Sequence, residues 1–175
     1  MTRELNDNEL IDVSGGRNIS DREYEELEWD LPEKFPIHKQ LQEYVKDLNN
    51  LYKTHRALWE LDCSPEGFQW IDADNSKQSI LSFIRKGKKK DDILIFVCNF
   101  KSEVHYDFEI GVPYLRDYVE VLNSDDKKYG GSGQVMGDVK LVAEKGEKYN
   151  QDYHIKIKVP PMGTVVLALD KGRKK

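Results

Sequence analysis

Groups able to do chemistry are plentiful in this chain, but few stand at useful spacing. Acid–base or nucleophilic work on a sugar bond needs two carboxyl groups on either side of it. Asp72, Asp74, Asp125 and Asp126 fall in "IDADNS" and "NSDDKK", turn-forming and solvated contexts in which no pair is set to flank a bond. His38, His55, His105 and His154 do not cluster, and Cys63 and Cys98 have no metal-ligand spacing, so two semi-buried free thiols and no metal or cofactor are expected. "YGGSG" has the glycines of a phosphate loop without the Gly-Lys-Ser/Thr that completes one, and reads as a surface loop. "RKGKKKDD", with Gly87 between strand-like runs, reads as a charged hairpin loop rather than a phosphate patch. Aromatic faces can stack on a glucose ring. Trp59 and Trp70 are expected to pack between a helix and a sheet, while Trp29 is the candidate for a glucan contact.

A second constellation lies near the N-terminus, in "LNDNELIDVSGG". At about 100° per residue Leu5, Glu9, Leu10 and Val13 share one sector of a helix, a narrow apolar stripe carrying one carboxylate. Such a stripe fits a partner's groove and would form on binding, because so short a helix is marginal alone. Gly15 and Gly16 then give a side-chain-free backbone suited to a tight protease cleft, with Arg17 after the cut.

The elements that carry these residues fall into three segments. Polar sequence runs to about Ser20. In "FPIHKQLQEYVKDLNNLYKTH" the apolar residues Ile37, Leu41, Tyr44, Val45, Leu48, Leu51 and Tyr52 recur at three- and four-residue steps, predicting an amphipathic helix with Pro36 in its first turn. From about Gly67 the period becomes two, in "SILSFIR", "DILIFVCNF", "VHYDFEI", "RDYVEVL", "YHIKIKV" and "TVVLALD". Ile155, Ile157 and Val159 face one way and His154, Lys156 and Lys158 the other, as in a half-solvated antiparallel sheet. The fold class is mainly β: an antiparallel β-sandwich preceded by one amphipathic helix and a flexible leader. The segments are 1–16 leader, 17–35 linker, 36–57 helix, 58–170 sandwich and 171–175 basic tail. With 175 residues, a net charge of -5 and 34% charged side chains, the chain has room for one ordinary core, and nothing calls for nucleic acid. No apolar run approaches the roughly 20 residues of a membrane span, and no general secretory signal is present.

Two families are resembled. Leu5, Glu9-Leu10, Val13 and Gly15-Gly16 stand where the double-glycine leaders of class II bacteriocins carry their recognition residues and cut site. That resemblance implies a partner, an ABC transporter with a C39-type cysteine-peptidase domain, and cleavage between Gly16 and Arg17. From Trp29 to Leu169 the chain resembles the C-terminal end of bacterial 1,4-α-glucan (glycogen) branching enzymes of the α-amylase superfamily, through "LEWDL", "ALWELD", "GFQWIDADNSKQSILSFIR", "VCNF", "IGVP", "EVLNSDDKKYGGSG" and "VPPMGTVVL". This second resemblance implies the last helix of a (β/α)8 barrel followed by the C-terminal β-domain. The family's catalytic carboxylates belong to barrel strands that would precede residue 20, so no enzymatic activity is expected. The match fades upstream of about Tyr24, placing a join near Ser20.

Together these imply a non-catalytic transporter cargo, made in the bacterial cytoplasm and exported after cleavage. The alternative is an accessory, glucan-contacting β-domain of a branching enzyme, cytoplasmic if the leader is not functional. Ile37, Leu41, Val45 and Leu48 are expected to leave apolar area open, and hence to promote self-association.

Overall fold

Among the described residues nine strands make two antiparallel sheets, and the sequence period shows which side of each strand is covered. The computed structural model describes residues 29–172. A short helix α1 (Leu31–Lys34) precedes α2 (Pro36–Thr54), after which a 3₁₀ turn at Arg56–Leu58 and another at Pro65–Gly67 lead into the strands. These are β1 (Phe68–Asn75), β2 (Ile80–Lys86), β3 (Ile93–Asn99), β4 (His105–Val112), β5 (Asp117–Asn123), β6 (Leu141–Val142), β7 (Glu144–Lys148), β8 (Gln151–Val159) and β9 (Thr164–Leu169). One sheet has the order β1-β2-β3-β9-β5-β6 and the other β4-β8-β7. Among the described residues no helix is long and apolar enough to cross a membrane.

The two sheets enclose the main core. Ile80, Ile84, Ile95, Val97, Val165 and Leu167 of the larger sheet meet Phe108, Ile110, Ile155, Ile157 and Val159 of the smaller. In β8 the expected alternation holds, with Ile155, Ile157 and Val159 inside and Lys156 in solvent. β3 and β9 behave differently. "ILIFV" and "VVLAL" are unbroken apolar runs because both faces of these strands are covered. Ile95, Val97 and Leu167 enter the main core, while Leu94, Val166 and Ala168 enter a second cluster on the outer side, with Leu51 of α2.

Helix α2 begins with Pro36, whose missing N–H costs nothing in a first turn, and ends where the His55 N–H donates to the Leu51 carbonyl at 3.0 Å. Its apolar positions span two adjacent faces. Gln40, Tyr44, Asp47 and Leu51 project within about 60° and face the sandwich; only Leu51, 7% exposed, is fully buried.

The loop after β5 holds that face in place. The Tyr129 hydroxyl donates to Asp47 at 2.6 Å, Lys128 pairs with Asp47 at 2.9 Å, and Tyr44 meets the Tyr129 ring edge-on at 4.9 Å. Asp125 departs from the solvated turn expected of it: it is 8% exposed. Its carboxylate accepts from the Ser132 N–H and hydroxyl and from the Gln134 N–H at 2.7–2.8 Å. Gly130 and Gly133, both at positive φ, let the chain curl around that carboxylate. "YGGSG" is therefore a loop closed on its own aspartate. The hairpin reading of "RKGKKKDD" holds: β2 and β3 pair in register, and the Gly87 N–H donates to the Asp92 carbonyl.

Candidate functional site

The most distinctive surface is the flank of α2 turned away from the loop after β5. Ile37, Leu41, Val45, Leu48 and Tyr52 follow one another at four-, four-, three- and four-residue steps within about 80° of the helix. All five are exposed, from 69% at Ile37 to 36% at Leu48. The sector is bordered on its solvent side by His38, Gln42 and Asn49, while Lys39, Glu43, Lys46, Asp47 and Lys53 project elsewhere. About 140° of the helix thus carries no charge. Depletion of charge is what distinguishes the centre of a protein interface from ordinary surface.

A row of aromatic rings lies across the outer side of the larger sheet. Phe96 of β3 stacks on Phe83 of β2 with centroids 4.9 Å apart and planes at 5°. Phe83 stacks on Phe68 of β1 at 5.3 Å, and Trp70 meets both Phe68 and Phe83 edge-on. The row is a consequence of register, since Trp70 lies opposite Phe83 and Phe83 opposite Phe96. It starts at the second cluster, against which Phe96 and Tyr44 both pack, and ends on the edge strand at Trp70.

The expectation that Trp59 and Trp70 pack between helix and sheet is corrected here: Trp59 is 42% and Trp70 51% exposed. Leu51 of α2 packs over β3, β5 and β9, whereas Trp70 lies on the edge strand β1, where its ring meets Phe68 and Phe83. Trp29 is 82% exposed. Leu5, Glu9, Leu10, Val13, Gly15, Gly16 and Arg17 lie outside the described residues. Cys63 is exposed rather than semi-buried, and Cys98 is half-buried.

Several titratable groups among the described residues are held by structural contacts. Asp47 is held below the usual carboxylate range by the hydroxyl of Tyr129 and by Lys128, which is itself raised by Tyr129 and Asp47. Burial pushes Asp125 up, yet its Ser132, Gln134 and Gly133 donors outweigh that and leave it lowered. Glu120 is raised, chiefly by burial, although Asn123 and the Met136 N–H bond to it. A cavity of about 150 Å³ at the end of α2 is lined by His55, Asp91, Asp92 and Lys171, but Arg116 pairs with Asp91 at 2.7 Å and Lys171 with Asp92 at 3.3 Å. Among the described residues no three His, Cys, Asp or Glu side chains converge as a metal site.

Sequence reasoning found the helix stripe and missed the aromatic row. The signal was present in the alternation of "FQW" and "SFIR", which puts Phe68, Trp70 and Phe83 on one side of their strands.

Known proteins similar to this chain share one description. A 1,4-alpha-glucan branching enzyme of Clostridium perfringens is 55% identical over 152 residues, 87% of this chain and 23% of its own length. Branching enzymes of Francisella philomiragia and Francisella tularensis subsp. novicida are 47% and 46% identical over 156 residues, 89% of this chain and 24% of theirs. The chain spans about a quarter of the length of the curated relatives it matches. Residues 70–170, from Trp70 at the end of the aromatic row to Asp170 just after β9, match the family model described as the alpha amylase C-terminal all-beta domain. On that match and the two-sheet architecture, the chain belongs to the family of alpha amylase C-terminal all-beta domains.

Proposed function

We propose that this protein is the C-terminal accessory β-domain of a 1,4-α-glucan branching enzyme and has no branching activity of its own. The observation that carries the reading is similarity to enzymes of that name over 87% to 89% of this chain. A supporting role is in keeping with the contacts seen: Asp91 and Asp92 are paired with cations, Asp125 is wrapped by backbone donors, and the flank of α2 is an exposed apolar face. In such an enzyme the catalytic carboxylates reside in the larger part, and α2 with the aromatic row forms the side on which that part rests. Trp29 is the residue proposed to touch glucan, since its ring is open to stack on a sugar face.

This replaces transporter cargo as the leading reading. The cargo reading draws only on Leu5, Glu9, Leu10, Val13 and Gly15-Gly16, and the relatives reported above are named as branching enzymes. Amylose incubated with the purified chain should keep its iodine absorption unchanged. A shift attributable to the chain would contradict the absence of catalysis.

A further inference from the structure

We propose that the groove between the β1–β2 turn and Phe100 is a binding site for α-glucan. The inference rests on the accessory-domain reading, from which it takes the identity of the sugar. It uses no residue of α2 and none of the aromatic row.

Phe100 is a ring held in place and left without a partner. It follows β3 directly, and its N–H donates to the Ser79 carbonyl at 3.0 Å. Asn99 before it is buried, its side-chain amide donating to the carbonyls of Glu103 and Pro160 while its Oδ1 accepts from the Lys101 N–H. The Lys101 ammonium after it donates to the Lys77 carbonyl at 2.6 Å. The backbone is thus fixed on both sides of a ring that is 58% exposed. Phe68, Trp70, Phe83 and Phe96 meet one another, whereas Phe100 meets none of the described rings. A platform fixed in advance loses little freedom when a ligand stacks on it.

Beside the ring the turn offers polar groups with nothing to bond. The groove holds about 370 Å³, within the range of small-molecule sites, and Asp74, Ser76, Ser79 and Phe100 are in its lining. Asn75 is used to hold the turn through two bonds with Gln78, and Asp72 accepts from the Asp74 N–H at 3.2 Å. The Asp74 carboxylate and the Ser76 hydroxyl are exposed and have no partner among the described residues. An aromatic face suits the C–H face of a pyranose, a carboxylate accepts from its hydroxyl groups, and a serine hydroxyl both donates and accepts. A packed domain is a poorer occupant, because an unpaired carboxylate inside an interface would lose its hydration without compensation. An anion is poorer too. Asp74 repels it, and the nearby Lys101 ammonium is engaged by the Lys77 carbonyl.

Isothermal titration of maltoheptaose into the full chain tests this, in a Trp29→Ala background that silences the other proposed glucan contact. Saturable binding is expected there. Phe100→Ala should weaken it about tenfold or more, and Phe100→Tyr, which keeps the ring, should stay within about twofold. A second variant does not depend on Phe100→Ala folding: Asp74→Asn with Ser76→Ala, both on the exposed turn, should also weaken binding about tenfold. Absence of binding in the Trp29→Ala chain overturns the proposal. So does affinity unchanged by the double turn variant, or by Phe100→Ala in a chain whose urea unfolding is unaltered. None of these outcomes bears on the iodine measurement, which reads catalysis, so the two proposals can fail separately.

Discussion

Asp125 organises the loop after β5. A carboxylate with three short donors around it exchanges strong charge-assisted bonds for its lost hydration. Asp125→Ala would leave the N–H groups of Ser132 and Gln134 unpaired and should lower stability by about 3 kcal/mol, measured by urea unfolding. A loss under about 0.5 kcal/mol would show that the loop does not need it. The sequence hid this residue. "SDDKKYGGSG" has the composition of a solvated turn, and only the crowding of three glycines after the aspartates hinted that backbone N–H groups could gather on one side chain. Cleavage of the N-terminal segment belongs to the same scale. If the double-glycine resemblance is functional, incubation with a C39-type peptidase domain should give a product starting at Arg17, and Gly16→Leu should block it, since a bulky side chain crowds a cleft built for bare backbone. Cleavage at another bond would remove that assignment.

At the scale of elements, α2 is attached to the sandwich through a small polar clamp. Asp47 is the acceptor of both Tyr129 and Lys128, and those two bonds depress its pKa. A depressed carboxylate contributes stability that is present above its unfolded value, near 4, and is lost as pH falls through the lower folded value. Protection of α2 against hydrogen exchange, taken relative to the intrinsic rate at each pH, should therefore fall below about pH 4 before the strands open, and Asp47→Asn should flatten that dependence. Equal pH responses of the two proteins would assign the effect elsewhere. The helix itself was legible from the spacing of Ile37, Leu41, Tyr44, Val45, Leu48, Leu51 and Tyr52. What the spacing withheld was the division of that stripe. Its width exceeds one line of contact, and Tyr129 together with the cluster of Leu94, Leu122, Val166 and Ala168 decides that Tyr44 and Leu51 turn inward while Leu41 and Val45 remain outside. The strands divide in the same way. β8 announced one covered face by its alternation, and the unbroken runs of β3 and β9 announced two, but nothing local to "FQWID" told that Trp70 would lie exposed on an edge strand.

For the whole molecule, the two apolar layers have different standing. The cluster between the sheets is complete within the chain, and the outer layer is finished only over β3, β9 and β5. On the proposed reading, the rest of this domain's outer surface is what the larger part of a branching enzyme rests on. Its counterpart in the Clostridium perfringens branching enzyme is alike at more than half of the aligned positions. The direct measurement is an exchange of domains. The aligned segment of that enzyme is replaced by residues 29–172 of this chain, and branching is followed by the iodine absorption of amylose. The account predicts that the chimera branches amylose at a rate within about tenfold of the parent, and that Leu41→Lys with Val45→Lys abolishes this while the segment stays folded. A soluble, folded chimera without activity, or one indifferent to both lysines, would contradict it.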